Sequence, residues 1–475
     1  MDKSSKLKST EEERIEYTYF KDKDAPRALL FYLILIAIIY APVFFTGKTL
    51  LPGNYTPHGV MDSWPYDYDG RNAMHNLSID LATPSYYEFP INKLVGDEFK
   101  SGRMPLWNPY QAAGTPLAAQ YSTRAFFPYQ ILENISPVWM WDFFLLGRLL
   151  IAGIFTFLFL RLISLSFPSA FLGGALYMFS GTFVWFINLE QLVNIAMVAP
   201  ALLLAMEMLA KRARARDVVV SAAVFALVLL GGQPETALYV LFLGAAYYIF
   251  TLIVYAGSPG FLSVFKYFRN IIVAFVIGFL LAAPVIFPFV ELWGTSHNIH
   301  PAGGDMGVVD TNPTQRAVSL FTPTFYERPL NPAISHHPFG EVKDRYGKVN
   351  YSKILPNNGE WDYLGGYSGV VMILITLAGL ICVLTRKTGG ARGQLLFFFI
   401  FGAGVLLKSF GYRPFLWLGH LPFFDLVWSQ RWAGPVWTLS LSISAAMGIE
   451  VLKEYDTLKE VVVTKTDRFL RIVAF

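Results

Sequence analysis

The sequence predicts an all-α polytopic membrane protein with about ten transmembrane helices and two large loops on one side. Hydrophobic residues make up 54% of the 475 residues, and charged residues only 15%, whereas soluble domains carry roughly 25% charge. The mean hydropathy is +0.43, and apolar stretches long enough to span a bilayer recur along the chain. These values exclude a disordered chain and an ordinary cytosolic enzyme.

The cysteine content and the net charge exclude several kinds of site and partner. Cys382 is the single cysteine, which excludes an internal disulfide and a cysteine-based metal site. The net charge is only +4, and the basic residues are spread in short clusters. We therefore expect no nucleic-acid partner.

The first predicted span is the uncharged apolar run over residues 28–45, which follows a charged tail at residues 1–27. The tail is too charged for a cleavable signal peptide, and no small-residue cleavage site follows. Gly and Pro interrupt several of the later spans, as is common where helices border a cavity. Those later spans are predicted at 138–162, 168–188, 191–210, 217–233, 236–255, 271–290, 367–385, 394–409 and 432–452.

Basic residues in short loops predict the orientation, because such loops stay in the cytoplasm. With ten spans, the N-terminal tail and the basic clusters at 211–216, 266–269 and 386–392 all fall on one side. This shared parity predicts a cytoplasmic N-terminus. It also places two polar regions, 46–137 and 291–366, outside the cytoplasm.

The C-terminal end of the sequence suggests that the chain is a fragment. The transmembrane domain is predicted over residues 28–455, and residues 456–475 form a cytoplasmic segment that ends in a basic anchor and an apolar run. Such a pattern is typical of the start of a further span.

Arg148 lies about eleven residues into the second span, near the predicted midplane. A buried arginine is costly in a bilayer, so it is a functional-site hypothesis by default. The alternative is a structural ion pair with an acidic residue on another helix, for which Glu207 is the expected partner.

Several polar residues mark the predicted outer ends of helices. Glu235, in the sequence GGQPET, either lines a pocket or caps the helix that begins there. Glu190, Gln191 and Glu291 occupy similar positions. Arg431 begins the last span, where it is either a ligand-binding cation or an interfacial anchor.

A series of short motifs resembles the bacterial YfhO family, which is placed with the GT-C-type membrane glycosyltransferases. The first loop carries Asp80, then Phe89-Pro90, then the segment 101–110 (SGRMPLWNPY), then Gly-Thr-Pro-Leu at 114–117 and Phe-Phe-Pro at 126–128. Further matches in the family's order lie at 177–181, 231–235, 320–325, 363–369 and 421–424 with Arg431. The sequence Gln430-Arg431-Trp432 departs from the family's usual Arg-x-Pro-x-Arg, and the family's long C-terminal part is absent.

The resemblance implies a GT-C-like fold in the bacterial inner membrane. It implies sugar transfer from a polyprenyl-phosphate carrier to an extracytoplasmic acceptor, which is a cell-envelope polymer, a membrane lipid or a protein. The family's early acidic residue, the usual catalytic group, corresponds to Asp80, and a partly desolvated carboxylate suits the role of general base. Arginines bind phosphate bidentately, so Arg124, Arg316 and Arg431 are expected to hold the carrier phosphate. The other expected substrate-binding residues are Arg148, Glu235, Gln191 and Trp107.

Alternatives remain at both the residue and the protein level. Asp80 could instead cap a helix, and Asp67 or Asp69 could share a divalent cation, Mg or Mn, with it. The paired histidines His336 and His337 favour a solvated loop over a metal site. The same cavity and arginines could serve a transporter or flippase for a lipid-linked precursor, although inverted repeats are not evident, and a non-catalytic envelope scaffold is a third hypothesis.

Overall fold

The computed structural model describes residues 23–51, 83–256, 261–296, 320–321, 364–385, 392–427 and 430–457. Within these ranges the protein is built almost entirely of helices, and each of the ten predicted spans coincides with one. The helices in chain order are α1 Ala25–Ile39, α2 Ala41–Phe45, α3 Phe89–Lys100, α4 Pro128–Ile135, α5 Trp141–Leu162, α6 Phe167–Met178, α7 Gly181–Val184, α8 Glu190–Arg212, α9 Ala215–Leu230, α10 Pro234–Ala256, α11 Phe261–Thr295, α12 Val370–Thr385, α13 Arg392–Ser409 and α14 Gly434–Thr457.

Seven helices of the described chain are long and apolar enough to cross a bilayer. They contain α5, α8, α10, α13, α14, most of α11, and α6 joined with α7. The helices α1 and α12 are apolar but shorter, and α9 has 16 residues. The protein is therefore an all-α, multi-pass membrane protein, and the count of ten crossings stays a prediction.

The bundle has two ends, and we call the end that packs against residues 83–140 the loop face. The basic residues Lys211 and Arg212 end α8, while Lys266 and Arg269 lie near the start of α11 and Arg392 begins α13. Asn270 of α11 donates to the carbonyl of Ala213 just after α8, and Gly393 of α13 lies beside Phe250 of α10. These contacts place the basic residues together, away from the loop face.

The helix α8 is the centre of the bundle. Its most apolar stretch is completely buried inside the protein, and that of α14 is 89% buried, whereas that of α11 is only 28% buried. An apolar helix exposed in this way faces lipid, because it would be unstable in water. The bundle is therefore asymmetric, with α11 on its lipid-facing side.

Two predicted spans differ from the observed helices. The span at 168–188 is broken, because α6 ends at Met178 and Gly181 packs against the backbone of Tyr367, where a Cβ atom would clash. The span at 271–290 is longer than predicted and reaches Thr295 despite Pro284 and Pro288. Neighbouring helices support proline-containing helices in membranes.

The described part of the first loop folds into a compact layer on the bundle. A π-helical turn at Pro84–Glu88 leads into α3. A two-residue hairpin follows, in which β1 (Trp107–Asn108) pairs antiparallel with β2 (Thr115–Pro116). Buried Ile91 and Val95 of α3 pack with Leu117 and Ala125, and this small core holds the layer together.

Candidate functional site

A buried charged cluster joins the loop layer to the helices. Arg124 follows a 3-10 turn at Tyr121–Thr123 and has a left-handed backbone with φ of 52°. This turn directs its guanidinium inward, where it donates to Glu88 at 2.5 Å and to Asn92 at 2.6 Å. Within the loop layer, Arg124 thereby ties the turn at 121–123 to the start of α3.

Arg148 of α5 forms the second half of the cluster. Its Nε donates to Asn194 of α8 at 2.7 Å, and its Nη2 donates to Gln130 at 2.9 Å and pairs with Glu133 of α4. Glu190 links the halves, since its Oε2 lies 3.4 Å from Arg124 and 3.6 Å from Arg148. One network of hydrogen bonds therefore spans the loop layer and two membrane helices.

The expected partner of Arg148 was wrong. Glu207 lies deeper along α8, where it pairs with Lys211 at 2.6 Å and accepts a hydrogen bond from Tyr247 at 2.8 Å. The partners of Arg148 come instead from the first loop, whose α4 reaches the buried end of the helices. The positions of the predicted spans could not reveal these partners, because the first loop was assigned to the region outside the membrane.

The cluster contains three carboxylates, Glu88, Glu133 and Glu190, but only two guanidiniums. Burial raises the pKa of the Glu133 carboxyl group above its ordinary value, although Arg148 pulls it down. Glu133 therefore takes up a proton at a higher pH than an ordinary carboxyl group does.

The raised pKa of Glu133 makes the stability of the protein depend on pH. Because this pKa lies above the ordinary value of 4.5, the folded state holds the proton of Glu133 more tightly than the unfolded state does. This stabilisation is full below pH ~4.5 and decreases as the pH rises above that value. We expect the thermal midpoint in detergent to decrease over this window, and we expect Glu133→Gln to flatten that decrease. An identical slope in the variant would contradict the assignment.

A cavity of about 580 Å³ lies beside the cluster, between the loop-face ends of α10 and α11. Tyr121 lines it and donates a hydrogen bond to the carbonyl of Leu229. Gly232 connects cavity and cluster, because its φ of 106° suits only glycine and a Cβ there would clash with the Arg124 side chain. The GGQPE turn therefore packs directly on Arg124.

The lining of the cavity is almost wholly apolar. Glu235 is the one charged lining residue, and Gln233 donates to its carboxylate. Phe423, on the opposite wall, has a left-handed backbone with φ of 70°, and such strain concentrates at functional sites. The other lining residues are Leu229, Pro234, Ala237, Leu238, Leu241, Phe275, Phe279, Ile286, Phe289, Val290, Trp293, Leu426 and Val427.

The structure brings Gln191 and Glu235 near Arg124 but separates Trp107 from them. Gln191 contacts the GGQPE turn, and its side-chain oxygen is buried without a hydrogen-bond partner in the described chain. Glu235 lines the cavity and also lies in the first turn of α10, so it is at once a pocket residue and a residue at the start of a helix. Trp107 is 55% exposed on the hairpin, where its ring covers Gly114.

Arg431 lies in a junction of three motif segments. Its guanidinium is 5.3 Å from the ring of Trp432, and its carbonyl packs against Gly365. Thr182 donates to the carbonyl of Gly365 at 3.1 Å. The junction therefore joins residues near 181, 365 and 431 at the loop face.

Sequence reasoning missed one buried cation, Lys408. Its Nζ donates to Tyr239 at 3.0 Å, and the ring of Tyr239 packs on Phe424 with centroids 5.0 Å apart. Lys408 therefore lies near the segment 423–427, which contributes lining residues to the cavity. A lysine in the apolar run of α13 was the signal that could have found it.

Several predicted residues lie outside the described ranges. These include Asp80, Arg316, His336, His337 and the acidic residues Asp67 and Asp69 of the divalent-cation hypothesis. Among the residues that the structure does describe, no group of three or more His, Cys, Asp or Glu side chains is placed to hold a metal ion.

No protein-family model matches the chain, and neither a curated protein nor a solved structure matches it.

Proposed function

We propose that this protein transfers a sugar from a polyprenyl-phosphate carrier to an acceptor at the loop face. The apolar cavity with a single carboxylate is the observation that carries the proposal. Its volume of about 580 Å³ falls in the range of small-molecule sites, which are mostly apolar with a few oriented polar groups.

The place of the cavity in the bundle suits a lipid substrate. Six of its sixteen lining residues belong to α11, the most lipid-exposed long helix of the described chain. Val290 and Trp293 line the cavity while about half exposed. A lipid chain could therefore enter from the bilayer, with its head group near Glu235 at the loop face.

The polar groups for the transfer would come from the first loop and from the segments of Lys408 and Arg431. An acceptor hydroxyl loses its proton to a general base while its oxygen attacks the anomeric carbon, and the carrier phosphate leaves with the bonding electrons. The resemblance assigns the base to Asp80. The cations proposed for the phosphate are Arg431, which lies beside the ring of Trp432, and Lys408, which lies beside Tyr239.

The direct test measures sugar transfer in membranes from tritiated polyprenyl-phosphate glucose, mannose or N-acetylglucosamine. We expect transfer by the wild type and its loss in Asp80→Asn with donor binding intact. Unchanged transfer in the variant would remove Asp80 from the mechanism. A wild type that binds a donor but moves it across the bilayer without transfer would favour the flippase instead.

Filling the cavity should weaken donor binding. We expect Val290→Trp to reduce the affinity for the donor by about tenfold, because the larger ring occupies space that the lipid chain needs. Val290 is 50% exposed, so the protein should still fold. The matched control is Val276→Trp, a position that is 47% exposed on the same helix and does not line the cavity. Equal affinities in both variants would argue against a lipid chain in this cavity.

A further inference from the structure

The carboxylate of Glu235 has a distinctive position among the acidic groups of the described loop face. Glu88, Glu133 and Glu190 are committed to the guanidiniums of the charged cluster. Asp142 accepts hydrogen bonds from the Thr49 hydroxyl and the Leu50 amide. Among these, Glu235 is the carboxylate that lines a cavity.

The carboxylate of Glu235 is also held in place. Gln233 donates a hydrogen bond to it, and the GGQPE turn is anchored where Gly232 packs on Arg124. Pro234 starts α10 at the same point. A fixed carboxylate in apolar surroundings accepts hydrogen bonds strongly and repels anions strongly, because the local dielectric is low.

Hydrogen-bond acceptance and anion repulsion have opposite effects on the sugar donor and on the spent carrier of the proposed reaction. The donor is a phosphodiester with one negative charge, and its sugar hydroxyls can donate to a carboxylate. The spent carrier is a phosphate monoester that carries up to two charges and has no sugar. A carboxylate at the head group of the bound lipid therefore favours the first and disfavours the second.

Resting on the proposed function, we propose that Glu235 is the specificity residue of the cavity. It accepts hydrogen bonds from the donor's sugar and expels the spent polyprenyl phosphate after transfer. No bond to Glu235 forms or breaks, so its role is in binding and release.

Binding of two lipids to the full-length protein in nanodiscs tests this role. The probes are tritiated polyprenyl-phosphate glucose and unmodified polyprenyl phosphate. We expect Glu235→Gln to weaken the donor by about tenfold, since it loses a charge-assisted hydrogen bond, and to tighten the spent carrier by about tenfold, since it loses the repulsion. The matched control Glu291→Gln removes the same charge from an exposed position at the loop-face end of α11 and should change neither.

The opposite signs separate this role from a structural one. If Glu235→Gln weakens both lipids alike, or changes neither, the assignment is wrong. Glu235→Asp keeps the charge, so it should keep the order of affinities even if both become weaker. A wild type that discriminates between the lipids but transfers no sugar overturns the proposed transfer and leaves the role of Glu235 intact. A wild type that binds neither lipid overturns both.

Discussion

Replacing Arg148 by Met is expected to destabilise the protein by about 3–5 kcal/mol, the usual cost of removing one partner from a buried ion pair. The guanidinium is completely buried and is shared by Glu133, Gln130 and Asn194. Its loss would leave the buried Glu133 carboxylate without its cation and remove the donor to the Asn194 side-chain oxygen. Thermal or urea unfolding in detergent measures the change.

An exposed ion pair of the same loop layer provides the control. Arg103 pairs with Glu98 at 2.8 Å, but its side chain is 62% exposed. Because solvent screens such a pair, Arg103→Met should lower the free energy of unfolding far less than Arg148→Met does. A second variant, Arg148→Met with Glu133→Leu, removes the pair together and should recover part of the loss. Similar costs for Arg148→Met and Arg103→Met would show that the cluster does not hold the loop layer on the helices.

The substitution Gly365→Ala is expected to cost about 3 kcal/mol or more, because it combines two penalties. The backbone of Gly365 has φ of +64°, and an added Cβ would collide with the carbonyl oxygen of Arg431. Gly434 packs as closely on the other side, so the neighbouring backbone has little room to move. The expected result is a lower thermal midpoint and separation of the junction around Arg431.

Gly369 lies in the same segment and isolates the backbone penalty from the steric one. Its φ of +81° is equally unfavourable for alanine, yet nothing lies within 4 Å of an added Cβ. Gly369→Ala should therefore cost only the conformational strain, about 1–2 kcal/mol. If the two variants are equally destabilised, the close contact with Arg431 does not constrain the junction.

The helices themselves could be predicted because their signal is local. An apolar run of membrane-spanning length can satisfy its backbone hydrogen bonds in lipid only as a helix, and all ten such runs coincide with helices. Their ends were less predictable. The break after Met178 depends on Tyr367, which lies far away in the sequence.

The candidate site was predictable only in part. Glu235 was a candidate because it lies beside a predicted turn, and Arg148 because it is a charged residue in an apolar span. The cavity required α10, α11 and the segment 423–427 to come together, which no short motif encodes. The apolar run of α13 marks Lys408 as unusual, but its contact with Tyr239 exists only once α10 and α13 pack together.

The sequence by itself determined a multi-pass helical protein and the common side of its basic loops, since hydropathy and charge act on each segment separately. The tertiary structure alone decided that Arg124 and Arg148 share the carboxylates of one cluster and that Glu235 faces an apolar cavity. The physical reason is that burial and pairing are set by neighbours from remote segments. A charged side chain acquires its role only when those neighbours exclude water from it.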